Sequence, residues 1–214
     1  MAGRKGAGPD VGFVIFDMDG VLVRLDRDRR NRCLSSFTGR TPEHFDATIW
    51  HSDFELRAEA GEFPTALDYL AEFNRRSGCT LGREQWVEAR RQAMTLVPET
   101  LEIVRSLRLM VDVAVLTNNG ALLRDSLPEL APEIFMAFEG AVHASCEFMA
   151  RKPDRRVFER ILARYAASAD RALLVDDDRS NLQGAKEAGM GAVLFEDPAG
   201  LRTRLSELGL DLQG

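Results

Sequence analysis

Phe13-Val14-Ile15-Phe16-Asp17-Met18-Asp19-Gly20-Val21 places four consecutive apolar residues directly before a pair of aspartates. A run with no polar alternation suits a strand covered on both faces, as in a parallel sheet. Its abrupt end at Asp17 puts a carboxylate at the strand's carboxyl end.

Outward from this stretch the same grammar recurs. Val111-Asp112-Val113-Ala114-Val115-Leu116 ends in Thr117 and Asn118, and Ala172-Leu173-Leu174-Val175 ends in Asp176, Asp177 and Asp178. Gly191-Ala192-Val193-Leu194-Phe195 ends in Glu196 and Asp197. Helical patterns separate these runs: Pro98 to Leu109, Asp154 to Tyr165 with Val157, Phe158, Ile161 and Leu162 on one face, and Ser180 to Ala188 before Gly189. Strand and helix in alternation predict an α/β fold, a Rossmann-like doubly wound parallel sheet.

The expected core comprises residues 13–23 and 98–214, with a loose leader over residues 1–12. Residues 24–97 break the alternation and offer helical segments only, around Pro42 to Ala60, Thr65 to Arg76 and Arg83 to Thr95, as an α-helical insertion would. Its Trp50, Phe54, Phe63, Tyr69, Phe73 and Trp86 are expected to form its own core, although they could line a pocket. The mixed-sign run Arg24 to Arg32 reads as solvated surface, and Arg57 and Glu59 as exposed helix charges.

A formal charge of -6 argues against a general nucleic-acid binder, which needs a basic face. No apolar run approaches the ~20 residues that span a bilayer, and the leader lacks a secretory apolar stretch, so no membrane role and a cytoplasmic location are expected. Cys33, Cys79 and Cys146 are too widely spaced for a zinc site or a disulfide framework, and His44, His51 and His143 show no metal-ligand spacing.

Ligands of open parallel sheets collect beyond the carboxyl ends of the strands, so Asp17, Thr117, Asp176 and Asp177 should converge. Gathered carboxylates repel and are costly to desolvate unless a cation neutralises them. An all-oxygen donor set favours Mg²⁺, which commonly serves phosphate chemistry. Thr117, Asn118 and loop N–H groups can hold phosphate oxygens, and Lys152 adds positive charge.

Taken in order, Asp17-Met18-Asp19-Gly20-Val21, Leu116-Thr117-Asn118, Arg151-Lys152-Pro153-Asp154 and Val175-Asp176-Asp177 resemble the four motifs of the haloacid dehalogenase superfamily. The resemblance continues through Asn181-Leu182-Gln183-Gly184-Ala185, and the insertion stands where that family carries a small helical cap, here residues 24–97. Glu59-Ala60-Gly61-Glu62 is similar to a cap stretch of the branch holding sugar-phosphate phosphatases and the phosphatase domain of epoxide hydrolase. That branch often has glycine where Met149 stands.

The resemblance implies a Mg²⁺-dependent phosphatase acting on a small phosphorylated metabolite, possessing Asp17 as nucleophile and Asp19 as general acid and base. It implies metal ligation by Asp17, the Asp19 backbone carbonyl and Asp177, with Asp176 assisting. Thr117, Asn118, Lys152 and backbone N–H groups near Met18 and Asn118 would hold the phosphoryl oxygens. Dehalogenases of the superfamily lack a carboxylate at the position of Asp19, since halide leaves without a proton. Two alternatives remain open: a phosphosugar mutase of the same superfamily, and a non-catalytic binding protein on the same fold. Neither the substrate nor the oligomeric state is legible.

Overall fold

The computed structural model describes residues 11–212. Seven strands occur among them: β1 (Phe13–Phe16), β2 (Val23–Leu25), β3 (Met94–Leu96), β4 (Asp112–Thr117), β5 (Val142–Ala144), β6 (Ala172–Asp176) and β7 (Gly191–Leu194). Five of these form one sheet in the order β5-β4-β1-β6-β7. Every pairing in it is parallel, with Phe16 opposite Val115 on one side and Val175 on the other. This is the doubly wound α/β sheet expected from the apolar runs. The leader expected over residues 1–12 lies outside the described residues except for Val11 and Gly12.

The α-helices in chain order are α1 (Arg27–Thr38), α2 (Pro42–Phe45), α3 (Phe54–Glu59), α4 (Ala66–Ser77), α5 (Arg83–Ala93), α6 (Pro98–Leu107), α7 (Ala121–Leu130), α8 (Pro132–Ala137), α9 (Arg155–Arg164), α10 (Arg179–Glu187) and α11 (Pro198–Glu207). Their starts follow local chemistry. Asp26, Asp154, Asp178 and Asp197 each accept a hydrogen bond from a backbone N–H of the first turn, and Thr65 with Asp68 makes a reciprocal capping box. None of these helices is long and apolar enough to cross a membrane.

Side chains of β1 alternate between two apolar layers. Val14 and Phe16 join the cluster that includes Leu101, Ile103 and Val104 of α6, whereas Phe13 and Ile15 join Val157, Phe158 and Ile161 of α9. Helices therefore cover both faces of the sheet, which explains why its strands carry no polar alternation.

Helices α1 to α5 lie between β2 and β3, which pair antiparallel from Val23 opposite Leu96 to Leu25 opposite Met94. This ribbon returns the chain to the sheet at the point where it left. Phe45, Ile49, Phe54, Tyr69, Phe73 and Trp86 are buried and continuous with the first apolar layer. The aromatic residues expected in a helical core are there, apart from half-buried Trp50 and Phe63.

Two readings need correction, and one strand had no reading. The run Arg24 to Arg32 is not all solvated surface: it forms β2 and the start of α1, and Arg30 and Asn31 are buried. The segment Pro42 to Ala60 is broken, with a π-helical turn at Asp46–Trp50 between α2 and α3. The fifth sheet strand, β5, comes from Val-His-Ala, too short for any pattern to reveal.

Candidate active site

Asp17 follows β1 directly, Thr117 ends β4 and Asp176 ends β6, so the sheet order brings all three to one edge. One oxygen from each of Asp17, Asp176 and Asp177 lies within 4.8 Å of the others. Lys152 sits among them with no exposed surface, its Nζ 2.6 Å from Asp176 Oδ2 and 2.9 Å from Asp17 Oδ1.

Electrostatics at this point are lopsided. Burial raises the Asp17 carboxyl to about 7; Lys152 opposes that shift, while Asp176 and Asp19 add to it. Burial also works against the Lys152 charge, yet Asp17 and Asp176 together outweigh it and hold the ammonium above its ordinary range. One ammonium is shared by two carboxylates, so each carboxylate is only partly compensated. Asp177, exposed at the mouth, is raised first by desolvation and then by Asp176.

The two oxygens of Asp17 differ. Oδ1 accepts hydrogen bonds from the Met18 N–H at 2.7 Å and from Lys152 Nζ, leaving Oδ2 unengaged by the described residues. The Met18 N–H expected to face a phosphate is thus committed to Asp17. Gly20, at φ +91°, lets the loop close on β6, since a Cβ there would collide with the Asp177 carboxylate.

Asp176 is saturated. Its Oδ2 accepts from Lys152 and from Asn181 Nδ2 at 3.2 Å, and its Oδ1 accepts from the Asp178 N–H at 2.9 Å and from Asn181 Nδ2 at 3.0 Å. Thr117, also buried, accepts from Asn119 Nδ2 at 2.8 Å. Asn118 spends its side chain on the backbone of Lys152: Oδ1 accepts from the Lys152 N–H at 2.8 Å and Nδ2 donates to the Lys152 carbonyl at 2.9 Å. An open amide for substrate was expected at Asn118; a brace for the lysine loop is what forms.

Asp19 faces the helical insertion. Arg90 Nη2 on α5 donates to both of its oxygens, at 2.6 and 2.7 Å, and Asn119 Nδ2 approaches one at 3.4 Å. Arg90 is only 2% exposed. Sequence reasoning missed both partners. Asn119 adjoins the Thr117-Asn118 motif and could have been noticed; Arg90 lies 71 residues from Asp19 with no local signal.

Glu59 is no exposed charge. Arg151 Nε donates to it at 2.5 Å, its carbonyl accepts from Ser145 Oγ at 2.8 Å, and burial raises its carboxyl to about 7 against the pull of Arg151. Gly61 presses so closely on Met149 and the Cys146 carbonyl that a Cβ would lie 2.7 and 2.8 Å from them. The Glu59-Ala60-Gly61-Glu62 stretch thus docks α3 on the loop that carries Lys152. Arg57 pairs instead with Glu62 and Asp53 at the surface. His143 contacts Tyr165 Oη at 2.7 Å and Glu147 Oε2 at 3.5 Å, while His51 lines the cavity beside Asp19.

A five-stranded parallel sheet with its carboxylates and buried lysine at one edge defines a class, and the chain belongs to the haloacid dehalogenase-like hydrolases, whose family model matches residues 12–189. It is similar to Phosphatase MT3486 of Mycobacterium tuberculosis, 29% identical over 95% of this chain and 98% of that protein. A predicted HAD-like family hydrolase from Porphyromonas gingivalis superposes with a TM-score of 0.76 at 22% identity, over 92% of this chain and 98% of that one. The HAD family enzyme bt-2542 of Bacteroides thetaiotaomicron, in complex with magnesium and inorganic phosphate, gives 0.73 at 18% identity over 86% and 93%.

Proposed function

We propose that this hydrolase is a Mg²⁺-dependent phosphatase of small phosphate monoesters, working through a phosphoryl group carried on Asp17. The observation that carries this reading is the fully buried Lys152 shared between Asp17 and Asp176, with Asp17 Oδ2 left free. Support comes from the relative named a phosphatase and from the structural neighbour holding magnesium and phosphate.

Three carboxylates against one ammonium leave negative charge that suits a divalent cation, and all donors are oxygens. Asp17, Asp177 and the Asp19 carbonyl would hold it, with Asp176, already saturated, serving to anchor Lys152. When bound, the cation neutralises phosphoryl oxygen charge.

In the first step Asp17 Oδ2 forms a bond to phosphorus while the bond to the leaving oxygen breaks, and Asp19 gives that oxygen its proton. In the second, Asp19 takes a proton from water, whose oxygen attacks phosphorus and releases Asp17 and inorganic phosphate. Lys152 and Thr117 hold the equatorial oxygens, and this fixed charge stabilises the transition state. Arg90 is a positioning residue that aims Asp19.

The helical insertion, residues 24–97, acts as a cap. A cavity of about 350 Å³ opens between Asp19 and Asn118 on the sheet side and Trp50, His51 and Glu55 on the insertion side, a size for a small ester such as a sugar phosphate. The test is phosphate release from a panel of phosphorylated metabolites with and without Mg²⁺, beside Asp17→Asn. Metal-dependent release that disappears in Asp17→Asn is expected. Isomerised sugar phosphate without release would point to a mutase, and no turnover at all to a binding protein.

A further inference from the structure

Arg30 is a charged side chain without a charged partner. It is 7% exposed, no described residue accepts a hydrogen bond from its guanidinium, and its Nε is buried and unpartnered. Two indoles hold it instead: the guanidinium carbon lies 4.3 Å from the Trp50 ring centre and 4.8 Å from that of Trp86. Aromatic faces favour a cation without satisfying its N–H donors. The same arginine lines the cavity that contains Asp19.

The neighbouring charges do not supply the missing anion. Arg90 is engaged with Asp19, and Glu59 with Arg151. Glu55 lines the cavity and acts on Arg30 only from beyond ion-pair distance, its carboxylate accepting from Tyr69 Oη at 2.6 Å; burial raises its carboxyl and Arg30 opposes that shift. Burial, then the nearby Arg90, lowers Arg30 to about 10, while Tyr69, Glu55 and Asp19 oppose that shift without bonding to it, so it stays charged at neutral pH. Arg27 adds a second guanidinium at the cavity wall, 5.9 Å from the Trp50 ring centre.

We propose that Arg30, clamped between Trp50 and Trp86, is a specificity residue that binds a second anionic group, a carboxylate or a further phosphate, on the leaving-group side of the substrate. The proposal rests on the phosphatase reading and narrows its substrate to phosphate esters of acids or to bisphosphates. A planar guanidinium matches either anion through paired N–H donors. A neutral leaving group of the same length leaves those buried donors unpaired, which is how a polar site rejects an analogue.

The test compares kcat/KM for matched esters: 3-phosphoglycerate with glycerol 3-phosphate, and 6-phosphogluconate and sorbitol 1,6-bisphosphate with sorbitol 6-phosphate. Wild type is expected to prefer at least one anionic member over its neutral match by about 10- to 100-fold, the range of a hydrogen-bonded charge. The carboxylate and bisphosphate arms tell the two anions apart. Arg30→Met should bring that ratio close to one, and Arg30→Lys should restore part of it. Equal rates for anionic and neutral esters in wild type would overturn the proposal while leaving the phosphatase intact. A ratio unchanged in folded Arg30→Met would overturn it too. Should wild type hydrolyse none of these esters, nor p-nitrophenyl phosphate, the phosphatase reading fails and takes this inference with it.

Discussion

Lys152 stands between two buried carboxylates, so its removal should do more than lose a contact. In Lys152→Met, Asp17 and Asp176 face each other buried and uncompensated, a loss of about 3 kcal/mol or more. Chemical denaturation should register that drop, and phosphate release should vanish with it. Arg90→Gln is expected to lower kcat by roughly tenfold or more with little change in KM, since it loosens the aim of Asp19 without touching the phosphoryl site. Partial recovery in Arg90→Lys would mark a charge that positions; equal loss in both would argue for packing alone. Asp17, Thr117, Lys152 and Asp177 were legible because each follows an apolar run or a short motif at fixed spacing. Arg90 and Arg30 were not, because their meaning comes from partners remote in sequence and from ring faces that no local pattern encodes.

Elements carry their own tests. Met149 adopts the left-handed conformation, φ +49° and ψ +34°, with its side chain 59% exposed, so it bears strain that a glycine would not. Met149→Gly should stabilise the fold by about 0.5 kcal/mol, the strain relieved exceeding the chain entropy added, as a thermal midpoint would record. Departure from glycine at this position was visible in the sequence; Met149 takes a left-handed conformation there without one. On α4, Glu72 accepts from Arg75 at 2.7 Å and from Arg76 at 2.6 Å. The Arg75 hydrogen bond, and next that of Arg76 against some desolvation, lowers its carboxyl from 4.5 to about 2. A lowered acid stabilises above its unfolded value, so this contribution is full above pH 4.5 and lost as pH falls toward 2. Glu72→Gln should therefore cost no more than about 1 kcal/mol at neutral pH and nothing at the acid end. Measured midpoints that differ equally at both pH values would reject this. Strands β1, β4, β6 and β7 were readable from apolar runs that end in polar residues, whereas β2, β3 and β5 have three residues each and are defined by what they pair with. Helix α1 hid in a run of alternating charges because its buried face includes Arg30 and Asn31 beside Leu34.

Across the whole molecule the insertion and the sheet share one apolar layer, so unfolding should be a single cooperative transition by both fluorescence and circular dichroism. Mg²⁺ added to metal-free protein should raise stability by about 2.7 kcal/mol at a hundredfold excess over its Kd. Asp177→Ala should abolish that gain; a gain that survives would place the cation elsewhere. The tie between Asn118 and Lys152 bears on the same scale. An amide side chain that accepts from one residue's N–H and donates to its carbonyl imitates a peptide group in a ladder. It adds a rung past the last residue of β4, and Lys152, which belongs to no strand, inherits the stiffness of the sheet. Asn118→Asp would keep the acceptor and lose the donor, leaving the ammonium on a half-fastened hinge.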